Sequence, residues 1–238
     1  MTVNRSPAGE AARAEVTPRA THEELLLAID TSASTSVAVV SGERGILSEA
    51  DGYDTMKHAE VIGRLIEQAL ADAGVAPDRL TGVVAGMGPG PFTGLRVGIA
   101  AARAFALGAG IDVLPVVSHD AIAFAHRAAG AQGELLVVSD ARRREVYWSL
   151  YDLDAGASRA HRADAIPPAR LDGPGLAKPD ALPHPSAPRL DATHVSAGAL
   201  GLVALALLGT GGDFSTGQAL YLRSPDVTVS TGAKRVTQ

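Results

Sequence analysis

Apolar positions along this chain follow two different periods, and these alternate from residue 25 onward. Mostly apolar runs with the length of buried strands lie at residues 25–29, 36–40, 80–87, 113–117 and 135–139. Within residues 54–74, apolar side chains instead recur at helical spacing. This predicts an amphipathic helix capped by Asp54 or Thr55 and ended by Gly74. Strands that alternate with helices predict an α/β fold.

Weaker patterns complete the outline. Two further strands are expected at residues 45–50 and 145–151, and three further helices at 92–107, 118–128 (capped by Ser118) and 197–208. The helix over 92–107 is rich in Gly and Ala, so a neighbouring element can approach its backbone closely. Residues 155–190 are rich in Pro, Gly and Ala and are expected to form loops.

Composition narrows the class of protein. The 238 residues are 46% hydrophobic, which is enough for a sizeable core, and the net charge of −5 gives no general attraction to nucleic acid or anionic membranes. No run of consecutive apolar residues reaches membrane-spanning length, and residues 1–23 lack the apolar core of a secretory signal. A cytoplasmic location is therefore expected. The absence of cysteine excludes disulfides and thiolate chemistry.

The first candidate site is Asp30-Thr31-Ser32, which follows the first predicted strand. An aspartate at a strand end followed by hydroxyl residues can present donors to a phosphate, so these three residues are candidates for nucleotide binding. The alternative is a hairpin turn whose polar side chains bond only to the local backbone.

A second candidate is the segment GPGPFTGLRVG at residues 88–98, where a glycine-rich turn precedes a helix. It lacks the Gly-Lys-Ser/Thr of a P-loop and does not complete G-x-G-x-x-G. Pro89 and Pro91 also remove N–H donors that a phosphate cradle would use. These features favour a structural turn.

Other polar groups give weaker signals. The seven histidines contain no pair four residues apart, so no metal motif is recognised, and Ser32 and Ser118 lie outside the motifs of serine nucleophiles. The run Arg142-Arg143-Arg144 either contacts RNA phosphate or forms a solvated hairpin turn. His58 and His119 are read as capping or surface residues.

Several segments taken together resemble the TsaB family, the non-catalytic paralogues of TsaD. The matching segments are LAIDTS at 27–32, SVAV at 36–39, HAE at 58–60, GPGPFTGLRVG at 88–98, VS at 117–118, DARR at 140–143 and YLR at 221–223. The pattern GPGxFTGLR is specific to this family, and residues 25–150 carry most of the resemblance. Pro91 stands where the family usually has Ser.

The resemblance implies an actin-like (ASKHA, ribonuclease H-like) fold of two subdomains, of which the second is reduced. Residues 1–23 would be a disordered extension, 24–108 the first subdomain, 109–223 the second with its Pro-rich loop at 155–190, and 224–238 a flexible tail.

The same resemblance implies a scaffold or dimerization subunit, with no catalytic or metal residues of its own. Its partners would be a TsaD-type catalytic subunit, which modifies the adenosine next to the anticodon of tRNA, and a TsaE-type ATPase. Alone the chain would form a homodimer, tRNA would be contacted through the complex, and ATP or ADP would bind only in the complex. The expected interface residues lie on the first two helices: His58, Val61, Ile62, Leu65, Arg96, Ile99 and Arg103. The alternative is an active actin-fold ATP-dependent enzyme or a peptidase.

Overall fold

A computed structural model describes residues 23–54, 57–156 and 166–223 of the chain. The expected N-terminal extension up to residue 22 and the tail from residue 224 lie outside the described residues, and so does Thr55.

The first layer is a five-stranded sheet of order β3-β2-β1-β4-β5. Its strands are β1 (Leu25–Asp30), β2 (Thr35–Ser41), β3 (Gly45–Gly52), β4 (Gly82–Gly86) and β5 (Asp112–Val116). The first three form an antiparallel meander, and β4 and β5 run parallel to β1. All six residues of β1 are buried, because this central strand is covered on both faces.

Two helices cover one face of this sheet, namely α1 (His58–Ala73) and α2 (Phe92–Ala109). The sequence correctly predicted both, and Gly74 ends α1 in the left-handed conformation as expected. The predicted cap is wrong, because α1 begins after Lys57, which makes no side-chain capping bond. Leu27, Ile29 and Val83 point from the sheet into the core that these helices close.

The other two helices, α3 (Ser118–Ala128) and α4 (Ala197–Thr210), pack together on the opposite face of the first sheet. Their core includes side chains from both sheets, such as Leu26 from β1 and Val137 from the second sheet. Nine of the 14 residues of α4 are buried. A helix that is apolar on all sides belongs in such a position between two layers.

The second sheet has four strands in the order β8-β7-β6-β9. They are β6 (Glu134–Asp140), β7 (Val146–Asp152), β8 (Ala169–Ala177) and β9 (Arg189–Ala192). The expectation of loops throughout residues 155–190 is therefore wrong, because β8 pairs with β7 along much of its length. Pairing to an existing strand supplies the order that the Pro- and Gly-rich composition does not indicate.

The expected boundary between subdomains at residue 108 also needs correction. β5 lies beyond it and still pairs with β4 in the first sheet, and α4 packs against β1 and β2. The first layer therefore recruits chain from both sides of residue 108.

Helix α2 is the one helix within residues 23–54, 57–156 and 166–223 that is long and apolar enough to cross a membrane by length and composition alone. It has 18 residues and a mean hydropathy of 1.2, and 33% of it is buried. The core helix of a water-soluble domain passes the same test, and α2 packs against β1, β4 and β5.

Candidate functional site

The turn after β1 folds its polar side chains inward. One carboxylate oxygen of Asp30 accepts hydrogen bonds from the backbone N–H and the hydroxyl of Ser32, at 2.8 and 2.6 Å. The other accepts from the Ser118 hydroxyl at 2.6 Å, and the same Ser118 oxygen accepts from the Gly88 N–H at 3.0 Å. Asp30 is 1% exposed. Through Ser118, its carboxylate connects the turn after β1 to the start of α3 and to the loop at Gly88.

Burial raises the pKa of the Asp30 carboxyl above its ordinary value, and the hydrogen bonds from Ser118 and Ser32 oppose that rise. The expected cap of α3 is corrected by the same contacts. Ser118 is the first residue of α3 rather than its N-cap, and its hydroxyl bonds to Asp30 and Gly88 instead of the helix end. This role of Ser118 was not visible in the sequence, because its partner lies 88 residues away.

Thr31 connects the same turn to helix α2. Its hydroxyl donates to the carbonyl of Gly94 at 2.7 Å and accepts from the N–H of Gly98 at 3.1 Å. Any Cβ at Gly94 would lie 2.7 Å from the Thr31 carbonyl oxygen, and one at Gly98 would collide with the Thr31 hydroxyl. Glycine is therefore required at both helix positions by the close approach of the turn. The two candidate motifs are parts of a single packed unit.

A cleft opens between this unit and the second sheet. It has a volume of about 450 Å³ and is lined on one side by residues 90–93 and on the other by Arg142, Arg143, Tyr147 and Arg223. The Tyr147 hydroxyl donates to the Gly90 carbonyl at 3.2 Å, which holds the two sides together. The three arginines make this side of the cleft cationic, although the whole chain carries a net charge of −5.

The predicted turn at Arg142-Arg143-Arg144 is confirmed as the connection between β6 and β7. All three residues adopt positive φ, at 65°, 51° and 63°. Such conformations are uncommon for residues other than glycine and persist only where surrounding contacts hold them. The Arg142 N–H donates to the Asp140 carboxylate, and the Glu145 N–H donates to the Arg142 carbonyl.

The YLR segment also converges on this cleft. The Tyr221 ring packs at 4.7 Å from that of Phe92, and the Arg223 guanidinium donates to the Ala141 carbonyl at 3.0 Å and pairs with Glu145. Arg223 was not among the expected site residues. The segment YLR was noted only for its resemblance to the family, and the role of Arg223 follows from a contact across 82 residues of sequence.

The residues expected at a partner interface divide into two groups. Ile62, Leu65 and Ile99 are 8%, 1% and 7% exposed and pack inside the core of the chain itself. His58 is also buried and bonds through Nδ1 to the Thr35 hydroxyl at 2.6 Å. Burial lowers the pKa of His58, and nearby Asp30 opposes that change.

The second group is accessible. Arg96 and Arg103 are exposed and Val61 is partly exposed, so these three remain predictions for the interface. The Arg96 guanidinium lies 4.0 Å from the centre of the Phe92 ring, and Arg103 donates to the Gly217 carbonyl at 2.8 Å.

His119 is fully internal rather than a surface histidine. Its two ring nitrogens each lie 2.9 Å from a serine hydroxyl, Ser149 on β7 and Ser139 on β6. Burial lowers the pKa of His119 to about 3, with a smaller contribution from the charge of Arg170. A neutral imidazole thus ties α3 to two strands of the second sheet.

Comparison with known proteins assigns the chain to a family. The model of the family TsaD, tRNA N6-adenosine threonylcarbamoyltransferase, matches residues 53–205. The chain belongs to this family. Similarity to curated proteins places it on the TsaB branch. It is 34% identical over 125 residues to the tRNA threonylcarbamoyladenosine biosynthesis protein TsaB of Haemophilus influenzae, covering 52% of each chain.

Other curated relatives agree. The TsaB protein of Bacillus subtilis is 31% identical over 131 residues, covering 55% of this chain and 56% of its own. An uncharacterized protein of Mycobacterium tuberculosis strain H37Rv is 46% identical over 130 residues, covering 53% and 58%. The matches thus span about half the length of these relatives.

Solved structures match over more of the chain. YeaZ from Pseudomonas aeruginosa superimposes with a TM-score of 0.63 at 26% identity, covering 79% of this chain and 93% of its own. A second Pseudomonas aeruginosa structure, described as similar to peptidase YeaZ, gives 0.69 at 25% identity, covering 84% and 100%. The expected actin-like fold of the TsaB family is therefore confirmed.

Proposed function

We propose that this chain is the TsaB-type accessory subunit of a tRNA threonylcarbamoyladenosine synthesis complex in the cytoplasm. In this role it binds and supports a TsaD-type catalytic subunit that modifies the adenosine next to the anticodon. A TsaE-type ATPase joins the complex, and the chain forms a homodimer when alone. It performs no catalysis itself and contacts tRNA through the complex.

The observation that carries this proposal is the exposed face of α2. This helix has a mean hydropathy of 1.2, yet only a third of it is buried. Leu107 is 85% exposed, and Ala100 and Ala104 on the same side are also exposed. Small apolar side chains on a helix allow another helix to pack closely, and their exposure supports a partner surface.

The neighbouring helix α1 extends this surface. Gly63 is exposed, and a Cβ placed there would meet nothing within 4 Å, as is also true at Gly108 on α2. Open backbone on two adjacent helices supports docking of a helix pair. The seam is therefore formed by exposed small residues, with Val61, Arg96 and Arg103 at its margin, rather than by the buried Ile62, Leu65 and Ile99.

The rival proposal, an ATP-dependent enzyme, has weaker support from the turn after β1. Both carboxylate oxygens of Asp30 are engaged by serines, and both hydrogen-bonding functions of the Thr31 hydroxyl are used by α2. A nucleotide or its metal would have to displace these internal bonds, because Asp30 is only 1% exposed. Asp30, Thr31 and Ser32 thus act structurally in our proposal.

The test is to replace Leu107 by Glu and measure assembly with the TsaD-type subunit of the same genome. We expect at least about a tenfold loss of affinity, because a charged side chain would be desolvated in an apolar seam. Leu171 is the matched control, since it is 51% exposed on β8, away from α2, and Leu171→Glu should assemble normally. Size-exclusion chromatography with light scattering gives the stoichiometry.

Assembly should be compared with tRNA modification in a reconstituted mixture, and both should fall together for Leu107→Glu. Equal assembly by the two variants would contradict the proposed surface. Low-micromolar ATP binding by the isolated wild-type chain, lost in Asp30→Ala, would instead favour the enzyme. Circular dichroism should show that both leucine variants are folded, since neither side chain is in the core.

A further inference from the structure

Three side chains with metal-ligating chemistry meet at the edge strand of the first sheet. Glu49 and Asp51 are two residues apart on β3, so they point to the same face. The β2–β3 register pairs them with Ala38 and Ser36, and this is the face on which α4 packs. The third is His194, which lies between β9 and α4.

The possible ligand atoms of Glu49, Asp51 and His194 all lie within 4.8 Å of one another. His194 Nε2 is 3.8 Å from Asp51 Oδ1, which is too long for a hydrogen bond. That Asp51 oxygen is buried, and it is the one buried side-chain nitrogen or oxygen, among the residues the structure describes, without a hydrogen-bond partner. A buried carboxylate oxygen without a hydrogen bond is costly unless a cation compensates it.

Neighbouring groups already orient these ligands. His194 Nδ1 lies 2.8 Å from the Ser34 hydroxyl, which fixes the ring with Nε2 toward the carboxylates. Glu49 accepts from the Ser36 hydroxyl at 3.0 Å, the Gly198 N–H at 3.1 Å and the Ser196 hydroxyl at 3.1 Å. Outer hydrogen bonds of this kind hold ligands in place around protein-bound metals.

We propose that Glu49, Asp51 and His194 form a binding site for a divalent transition-metal ion of the Zn²⁺ class. One imidazole nitrogen and two carboxylate groups suit Zn²⁺, and water supplies the fourth position of a tetrahedron. The imidazole favours such an ion over Mg²⁺, which prefers oxygen ligands. The bound ion joins β3 to the start of α4, the helix between the two sheets.

This site is independent of the assembly proposed above, and no local motif in the sequence indicates it. His194 is more than a hundred positions from the two acids, so the three residues form no motif of metal-ligand spacing. Only the packing of α4 on the first sheet brings the three residues together.

The test is titration of the full chain, first treated with a chelator, with Zn²⁺, Mn²⁺ and Mg²⁺ in a calorimeter. We expect one Zn²⁺ per chain with a Kd below about 100 µM, together with a rise in Tm. Binding should weaken in the order Zn²⁺, Mn²⁺, Mg²⁺. Asp51→Asn and His194→Gln should each weaken Zn²⁺ binding at least about tenfold and abolish most of the rise in Tm.

The matched control is His184→Gln. His184 Nε2 lies 2.8 Å from the Asp172 carboxylate, and Asp172 and His184 belong to none of the three-residue clusters found in the described chain. This variant should bind Zn²⁺ like the wild type. Absence of saturable Zn²⁺ binding by the wild type would overturn the proposal. So would equal Zn²⁺ affinities of the wild type and the folded Asp51→Asn and His194→Gln variants, with folding checked by circular dichroism.

Discussion

At the scale of single residues, Thr31 shows how a motif with the chemistry of a nucleotide site becomes a structural joint. Its hydroxyl bridges the Gly94 carbonyl and the Gly98 N–H, which are one helical turn apart on α2. Hydroxyls near a strand end can serve a phosphate only if they are not already bonded. Gly94 and Gly98 let the helix approach so closely that its own backbone groups take up the hydrogen bonds of the Thr31 hydroxyl.

Replacing Thr31 by Val should therefore destabilise the fold. Valine has nearly the same shape, but it removes both hydrogen bonds and leaves the polar groups of Gly94 and Gly98 without this partner. We expect a loss of about 1–3 kcal/mol in the free energy of unfolding, measured by urea denaturation. Thr93→Val is the control, because Thr93 is exposed on the first turn of α2. Equal stability of both variants would contradict the structural role.

At the scale of elements, α1 and α2 each have one face that completes the core and one that is open. On α1, Leu65 and Ala69 are 1% and 0% exposed, whereas Arg64, Glu67 and Gln68 face outward. An apolar stripe at helical spacing indicates only that one side of the helix is buried. It does not distinguish the core of the same chain from a partner.

Leu65→Asp should consequently prevent folding rather than selectively disrupt assembly. An unpaired carboxylate in this core costs several kcal/mol, which is comparable with the whole stability of a typical domain. We expect loss of the cooperative thermal transition. Gln68→Asp, on the exposed side of the same helix, should retain it. A folded Leu65→Asp protein that fails only to assemble would place this residue at the interface after all.

At the scale of the whole molecule, α3 and α4 lie between the two sheets and connect them through a shared core. His119 contributes by contacting Ser139 and Ser149 on neighbouring strands of the second sheet. Since its folded pKa is about 3 and its ordinary value is 6.5, the unfolded chain takes up a proton first as pH falls. The stability that depends on neutral His119 is full above pH 6.5 and is lost toward pH 3.

His119→Gln should be less stable than the wild type at pH 7 but should lose less stability on acidification from pH 6.5. Between pH 6.5 and pH 3, the wild type should lose on the order of a few kcal/mol more of its free energy of unfolding than the variant. Urea unfolding at several pH values measures this difference. Asp30 acts in the opposite direction, because its raised pKa favours the folded state at lower pH. It is present in both proteins and cancels from the comparison.

Much of the secondary structure could be predicted from the sequence alone. Apolar runs and helical spacing gave the strands of the first sheet and all four helices, because buried faces leave a local period. The exceptions are β8 and β9, which lack a clear local period and owe their order to pairing with β7 and β6. The family was also recognisable from the segment at residues 88–98, which includes Gly94 and Gly98, where a Cβ would collide with Thr31.

The tertiary structure decided the roles of the polar residues. Asp30 could have faced a ligand, and only its contacts with Ser32 and Ser118 show that it is bonded inside the protein. The same holds for the buried Leu65, and for Glu49, Asp51 and His194, which distant segments bring together. Local sequence determines which face of an element is apolar, whereas the partner of each polar group depends on packing between residues far apart in the chain.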